Sequence, residues 1–218
     1  MQALILAAGK GARLRPLTYT IPKPLIEIDG KTLIHCALSA LPESIDEIFI
    51  VVNHLRDQII ESVGSSWNNT PITYVIQEPL TGTAGALHLL REHLRDSFLV
   101  INSDDLYSRD DLTKLVESPW ALLYFPTTTK KQAGALVEHE RFMGLGSSIN
   151  AVCGAYVLGQ ELFDVELVEI FVSDYVEYGL PQTLTKLVDR IEIVAMEATS
   201  WHQVGTPEQL KALRRTIT

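Results

Sequence analysis

Residues 3–25 read ALILAAGKGARLRPLTYTIPKPL, an apolar run that leads into a loop containing glycine, proline and basic residues. Ala3–Ala8 is apolar at both odd and even positions, which is typical of a strand buried on both faces of a parallel sheet. Gly9 and Gly11 interrupt the run, and the three prolines within residues 10–26 exclude a helix there. The stretch therefore predicts a buried strand that ends in a long loop.

Basic side chains are concentrated in this loop. Residues 1–26 contain Lys10, Arg13, Arg15 and Lys23 and no acidic residue, although the whole chain has a net charge of −9. Glycine lets backbone N–H groups approach an anion, and an arginine adds a planar pair of donors. The loop matches neither the three-glycine dinucleotide fingerprint nor the Walker sequence. A local positive site in an acidic chain predicts a small phosphorylated ligand and disfavours general nucleic-acid binding, which requires many cations.

Strand-like and helix-like segments alternate in the first part of the chain. The predicted strands after the first are Glu47–Val52, Ile72–Ile76, Phe98–Ile101 and Ala121–Phe125. The predicted helices are Thr32–Leu41, Asp57–Val63, Thr83–Leu94 with Thr83 as N-cap, and Asp110–Glu117. This alternation predicts an α/β fold, a Rossmann-like three-layer sandwich with a mostly parallel central sheet.

The second half of the chain is less regular. Strands are predicted at Ala135–Glu138 and Ala151–Leu158, on either side of a glycine-rich link at residues 144–146. Further elements are predicted as helices near Gln160–Val165, Leu180–Val188 and Pro207–Arg214, and as a strand at Ile191–Met196. Because no segment has the composition of a linker, we expect residues 1–218 to form a single domain.

Cysteine usage and apolar runs predict the compartment. Cys36 and Cys153 lie far apart in the sequence and form no metal-spaced cluster. The first residues lack the basic start of a signal peptide, and no apolar run approaches the ~18 residues that span a membrane. We therefore expect a cytoplasmic protein without membrane contact, and whether it forms a homo-oligomer is left open.

Residues 6–25, with LAAGKGARLRPLT followed by PKPL, resemble the signature of the sugar-1-phosphate nucleotidyltransferases, also called NDP-sugar pyrophosphorylases. In that family the stretch begins the catalytic domain and holds the nucleoside triphosphate. The resemblance implies catalytic roles for Arg13 and Lys23. The nucleotide-binding residues that it implies here are Leu6, Ala7, Ala8, Gly9, Gly11, Arg13 and Lys23.

A second segment, QEPLTGTAGAL at residues 77–87, is similar to the part of the family that meets the nucleobase. It adds Gln77, Gly82 and Thr83 to the implied nucleotide-binding residues. A glutamine amide suits this role because it can both donate to and accept from a base edge. The segment follows a predicted buried strand, so it is expected at the carboxyl edge of the sheet, where ligands bind.

Asn102-Ser103-Asp104 resembles the family's Asn-Gly-Asp segment, whose aspartate binds the metal. The resemblance implies Mg²⁺ as cofactor, with Asp104 as a ligand, while the neighbouring Asp105 fits a helix cap. Residues 201–208, WHQVGTPE, match the family's W-x-D-x-G-T-P-E except that Gln203 replaces the second metal aspartate. Gln203 can offer a neutral oxygen but no charge, which casts doubt on a two-carboxylate site.

The acceptor side of the resemblance is incomplete. Residues 150–158 are similar to the family's NAGIYVL strand, which implies that Gly154 and Asn102 bind the substrate. Residues 138–149 lack the family's Glu-Lys-Pro segment. Glu177 corresponds either to the family's sugar-contacting glutamate or to a solvated acid at a helix end, and both interpretations stay open.

The resemblance implies a reaction in which an NTP and a sugar 1-phosphate give an NDP-sugar and pyrophosphate. The attacking phosphate oxygen is already anionic, so no general base is needed. Two alternatives remain. The short acceptor-side segment suggests transfer to a non-sugar phosphate such as phosphocholine, and Gln203 suggests a catalytically weak, nucleotide-binding regulator.

Overall fold

The computed structural model of the protein describes residues 1–172 and 175–217. The strands are β1 (Gln2–Ala7), β2 (Glu27–Ile28), β3 (Lys31–Thr32), β4 (Glu47–Val52), β5 (Ser66–Trp67), β6 (Thr70–Ile76), β7 (Ser97–Asn102), β8 (Asp105–Tyr107), β9 (Ala121–Glu138), β10 (Arg141–Gly159), β11 (Glu169–Val172), β12 (Tyr175–Tyr178), β13 (Val194–Glu197) and β14 (Trp201–Gln203). The α-helices are α1 (Leu33–Ala40), α2 (Arg56–Val63), α3 (Gly82–His88), α4 (Arg109–Leu115), α5 (Leu180–Leu184) and α6 (Pro207–Ile217).

An eight-stranded sheet forms the centre of the fold, in the order β13-β9-β10-β7-β1-β4-β6-β5. β1 pairs in parallel with β4 and β7, and β4 pairs in parallel with β6. β10 and β5 run against the other strands of the sheet. The predicted, mostly parallel sheet is confirmed. The carboxyl ends of β1, β6 and β7 therefore lie at one edge, where a ligand site is expected.

The two faces of β1 enter two different cores, which gives three layers. Ala3 and Ile5 belong to the core that contains residues of α1, α2 and α4. Leu4 belongs to the core on the other face, with residues of α3 and α5. β1 is therefore buried on both sides, as its apolar sequence predicts.

A third, smaller core fixes the loop after β1. Leu14 and Ile26 are buried together with Val204, Leu210 and Leu213 near the C-terminal end of the chain. The loop itself contains three one-turn 3-10 helices, so the prediction of a non-α-helical loop is confirmed. The beginning and the end of the sequence thus meet beside the edge of the sheet.

The predicted glycine-rich link between two strands is wrong. β9 and β10 form one long antiparallel hairpin, and its turn lies at His139 and Glu140, both with positive φ. A turn with two such residues matches the right-handed twist of its strands. Gly144 instead lies inside β10, where the pairing register shifts between Phe142 and Gly144. Such a bulge bends a strand without ending it.

Several helices are shorter than predicted. α3 ends at His88 and not at Leu94, and Thr81 rather than Thr83 precedes its first turn. The segment predicted as a helix near residue 160 is a 3-10 helix at Gln160–Asp164. α5 ends at Leu184, four residues earlier than predicted. None of the described helices combines the length and the apolar character needed to cross a lipid bilayer.

Candidate active site

A cleft of about 430 Å³ opens at the carboxyl edge of β1, β6 and β7. Its walls contain most of the predicted site residues, namely Leu6, Ala7, Ala8, Gly9, Gly11, Arg13, Lys23, Gln77, Gly82, Thr83, Asn102, Asp104 and Glu177. We call the part formed by residues 6–25 and 77–83 the nucleotide half. We call the part formed by Asn102, Asp104 and the β11–β12 hairpin the acceptor half. Gly154 and Gln203 do not line the cleft.

The glycine loop presents unpaired backbone donors. Within the described residues, the N–H groups of Gly9, Lys10 and Gly11 donate no hydrogen bond to the protein. Gly11 has φ +61°, and a Cβ there would lie 2.9 Å from the Thr18 side chain. Only glycine fits this left-handed, crowded position without strain. The free amides facing the cleft are suited to bind an anion.

The loop after β1 is also held from outside. The Thr18 hydroxyl donates to the Gly11 carbonyl at 2.9 Å. His54 Nε2 lies 3.1 Å from the Thr18 carbonyl, and Gln58 Nε2 donates to the Thr20 carbonyl at 3.1 Å. α2 and the turn before it therefore fix the conformation of the glycine loop, a contribution that the sequence pattern does not reveal.

Lys23 and Asp104 form an ion pair across the cleft. Their side chains are only 12% and 26% exposed, so the pair is shielded from much of the solvent. The resemblance assigns phosphate binding to Lys23 and metal binding to Asp104. The fold thus brings these two residues together although 81 positions separate them in sequence.

Arg13 lies against the segment before α6. A Cβ on Gly205 would be 3.0 Å from a terminal nitrogen of the Arg13 guanidinium. The Gly205 N–H donates to Gln209 Oε1 at 2.8 Å, which holds this segment in place. Gly205 lines the cleft and is a site residue that the sequence prediction omitted, although the GTPE segment contained the signal.

The amide of Gln77 has one fixed orientation. Gln77 is 3% exposed, and its Nε2 donates to Thr81 Oγ1 at 3.0 Å and to the Gly82 carbonyl at 2.9 Å. Because the Gly82 carbonyl can only accept, the nitrogen must face it. No donor among the described residues reaches Oε1. Gln77 therefore presents a hydrogen-bond acceptor to a ligand in the cleft.

Gly154 supports the cleft from behind. It has φ +70°, and a Cβ there would lie 2.1 Å from Asn102 Nδ2, so a side chain would displace the Asn102 amide. The Tyr107 hydroxyl accepts from the Asn102 N–H at 3.3 Å and lies 3.0 Å from the Cys153 carbonyl, to which it donates. Gly154 thus acts on the cleft through Asn102.

The β11–β12 hairpin closes the acceptor half. Glu177 lies on β12 and lines the cleft, so its interpretation as an acid at a helix end is wrong. Val172 on β11 also lines the cleft. No sequence pattern indicates a role for Val172, because a single valine in a short strand is indistinguishable from a core residue.

A family model described as "Nucleotidyl transferase" matches residues 2–121, more than half of the chain. The chain belongs to the nucleotidyl transferase family.

The chain is similar over nearly its whole length to larger members of the nucleotidyl transferase family. It is 30% identical to the bifunctional protein GlmU of Methanococcus maripaludis strain C7 over 220 residues, which cover 95% of the chain and 52% of that protein. It is 30% identical to the probable mannose-1-phosphate guanylyltransferase 2 of rice over 224 residues, 98% of the chain and 58% of that protein. The chain therefore spans about half the length of the curated relatives it matches.

Solved structures of the family have the same fold. One is a putative glucose-1-phosphate thymidylyltransferase from Bacillus anthracis, with a TM-score of 0.83, 24% identity and coverage of 99% of this chain and 94% of that one. Another is a UDP-glucose pyrophosphorylase complexed with UDP-glucose, with a TM-score of 0.80, 20% identity and coverage of 99% and 97%. These likenesses establish the fold alone.

Asp105 does not have the role that the sequence suggests. It lies in β8 and is 1% exposed, whereas Ser108 caps α4 by accepting from the Asp111 N–H. Burial and, second, the nearby Asp104 carboxylate raise the pKa of Asp105 to about 8. The helix-cap prediction is therefore wrong. The raised pKa favours the protonated form of Asp105, so this side chain contributes less charge to the region around Asp104 than an exposed aspartate would.

The residues around Asp104 could supply one carboxylate to a magnesium ion. Gln203 is exposed and lies opposite Asp105 in the β8–β14 ribbon, outside the cleft lining. The described residues contain no group of three or more His, Cys, Asp or Glu side chains placed to hold a metal. Mg²⁺ commonly takes one or two carboxylates and completes its shell with water and substrate phosphates. Asp104 alone meets that need.

Proposed function

We propose that the protein transfers a nucleoside monophosphate from an NTP to a sugar 1-phosphate, releasing pyrophosphate. The ion pair of Lys23 and Asp104 at the junction of the two halves carries this proposal. An arriving magnesium–nucleotide complex offers a phosphate to Lys23 and a cation to Asp104. Each side chain would then exchange one charged partner for another, so neither charge is left unpaired.

The nucleotide half is suited to hold the triphosphate. The free amides of Gly9–Gly11 and the Arg13 guanidinium would bind the β- and γ-phosphates and stabilise pyrophosphate as it leaves. Lys23 would neutralise the α-phosphate, where charge builds up during transfer. Asp104 would hold Mg²⁺, which supplies charge neutralisation on the phosphates when bound.

The acceptor needs orientation rather than activation. Its phosphate oxygen is anionic at neutral pH and can attack the α-phosphorus in line without losing a proton. No histidine lines the cleft among the described residues, which agrees with a reaction without a general base. Glu177 would accept hydrogen bonds from sugar hydroxyls, and the Asn102 amide could both donate and accept. Catalysis would then follow from proximity and charge.

The orientation of Gln77 supports a preference among bases. Its unpaired Oε1 would accept from a ring N–H, which uracil, thymine and guanine carry on their pairing edge. Cytosine and adenine have an acceptor nitrogen at that place. UTP, dTTP or GTP is therefore the proposed donor, in line with relatives named as a UTP–glucose-1-phosphate uridylyltransferase and a mannose-1-phosphate guanylyltransferase.

One observation favours a second candidate, transfer to a phosphate that carries a cationic group, such as phosphocholine. The cations among the described cleft residues are Lys10, Arg13 and Lys23, and all three belong to the loop after β1. The acceptor half contributes the carboxylates of Asp104 and Glu177. A cationic headgroup would find a complementary charge there.

A pyrophosphate-release screen tests the proposal. The purified chain is incubated with Mg²⁺, each of UTP, dTTP, GTP, CTP and ATP, and either sugar 1-phosphates or phosphocholine. We expect release with a sugar 1-phosphate and with UTP, dTTP or GTP, and none with N3-methyl-UTP, which lacks the ring N–H. Release with phosphocholine alone favours the second candidate. Tight NTP binding without pyrophosphate release in the presence of any of these acceptors would favour a nucleotide-binding regulator. The cytoplasmic location stays a prediction, and whether the chain forms a homo-oligomer stays open.

A further inference from the structure

The β11–β12 hairpin carries Glu177 into the cleft but stands apart from the central sheet. Its two strands pair with each other and form a separate two-stranded sheet. On its outer side Phe171 is 85% exposed, so solvent and not a core covers that face. The position of Glu177 therefore depends on the contacts at the base of the hairpin.

Two hydrogen bonds join that base to the start of α3. The Tyr178 N–H donates to the Thr81 carbonyl at 2.9 Å. The Leu180 N–H donates to Thr83 Oγ1 at 2.9 Å. Leu180 begins α5, where backbone N–H groups have no acceptor within their own helix. The Thr83 hydroxyl thus accepts from the first N–H of another helix, α5. Its predicted role as N-cap of α3 is wrong because Thr81 precedes that helix and Thr83 lies within it.

The two segments also touch along their backbones. Gly82 has φ +83°, and a Cβ there would lie 2.6 Å from the Tyr178 carbonyl oxygen and 2.8 Å from Glu177 Cβ. Gly82 therefore lies directly beside the backbone of residues 177 and 178 with no space for a side chain between them. A shift of Gly82 towards the hairpin would push on the segment that carries Glu177.

The same short segment receives the side chain proposed to meet the base. Gln77 Nε2 donates to Thr81 Oγ1 and to the Gly82 carbonyl. A base that donates a hydrogen bond to Gln77 Oε1 would hold the amide in this orientation. It would thereby stabilise Thr81 and Gly82 in the conformation seen here. That conformation is the one that holds the hairpin.

We propose that Thr83 is a positioning residue that couples the nucleobase segment to the acceptor carboxylate of Glu177. Nucleotide binding orders residues 77–83. Because the Thr83 hydroxyl is hydrogen-bonded to the start of α5, α5 and the hairpin before it are ordered at the same time. The acceptor then meets a Glu177 that is already in place, so the nucleotide raises the affinity for the acceptor. This coupling rests on the proposed function for its substrates.

Thr83→Val is the decisive variant, because valine keeps the shape of threonine and removes the acceptor. Thr83→Ser is its matched control, since serine keeps the hydroxyl. Hydrogen exchange of residues 175–184 is measured with and without the α,β-methylene analogue of UTP, which needs no turnover. We expect the analogue to slow exchange in the wild type and in Thr83→Ser, and not in Thr83→Val, with both variants melting as cooperatively as the wild type.

Steady-state kinetics with UTP and glucose 1-phosphate give the second readout. In Thr83→Val the KM for glucose 1-phosphate should rise about tenfold, the loss expected for one ordinary hydrogen bond. The KM for UTP at saturating glucose 1-phosphate should rise with it, because a coupling between two ligands is reciprocal. Equal protection of residues 175–184 in Thr83→Val, no protection in the wild type at saturating analogue, or failure of the analogue to bind would overturn the coupling. Protection in the wild type without pyrophosphate release would instead refute the proposed function and leave the coupling standing.

Discussion

The two halves of the cleft are built in different ways. The nucleotide half comes from two continuous segments, residues 6–25 and 77–83, and relies on backbone N–H groups and on glycines at positive φ. The acceptor half is assembled from the ends of β7 and β8 and from the β11–β12 hairpin, and relies on side chains. The shape of the nucleotide half therefore depends on local chain geometry, whereas the shape of the acceptor half depends on how distant elements pack. This difference suits a triphosphate that is common to many reactions and an acceptor that varies.

The difference between the two halves of the cleft predicts its largest effect on the rate at Arg13. Arg13→Ala removes a guanidinium from the nucleotide half and should lower kcat by about 10²–10³, as loss of one preorganised donor does. Arg15→Ala is the control, because Arg15 belongs to the same loop but lies 5.1 Å above the Tyr19 ring, outside the cleft lining. Pyrophosphate release is measured for both variants. If both variants release pyrophosphate at the same rate, the Arg13 guanidinium does not contribute to the reaction.

Asp104 tests the junction between the halves. Asp104→Asn removes the carboxylate proposed to hold Mg²⁺ and leaves Lys23 without its ionic partner. We expect kcat to fall about a hundredfold, which corresponds to about 2.7 kcal/mol, and half-maximal activity to require more Mg²⁺.

The control for this variant is Asp110→Asn, which alters an exposed acid in the first turn of α4. A magnesium titration of the rate is run on both proteins beside the wild type. If Asp104→Asn has the magnesium dependence of the wild type, Asp104 is not a metal ligand.

The sequence predicted the nucleotide half more fully than the acceptor half for a physical reason. The bounds of β4 at Glu47–Val52 and the loop after β1 follow from apolar runs and prolines within a few residues. The long pairing of β9 with β10, the burial of Asp105 and the hydrogen bond from the start of α5 to Thr83 depend on residues far away in the chain. Local patterns contain no information about such partners.

Glu177 provides a test of the acceptor half. Glu177→Gln keeps the size of the side chain and removes its charge, so the KM for the sugar 1-phosphate should rise about tenfold, while the KM for the NTP changes less than about twofold. Glu169→Gln is the matched control, because Glu169 is exposed on the other strand of the same hairpin. If both KM values rise together in Glu177→Gln, the carboxylate does not belong to the acceptor half alone.

The smallest expected effect is at His54, which supports the nucleotide half without lining the cleft. His54→Ala removes the contact to the Thr18 carbonyl, while the Thr18 hydroxyl still holds Gly11 and Gln58 still holds Thr20. The loop keeps two of its three ties, so kcat/KM for the NTP should fall only about threefold, at the lower end of what a hydrogen bond contributes. His139→Asn, in the β9–β10 turn, is the control, because asparagine tolerates its positive φ. A rise in the KM for the acceptor instead would mean that His54 acts on the acceptor half. In that case the loop after β1 would also shape the acceptor half, and the cleft could not be divided into a locally built half and a half assembled from distant elements.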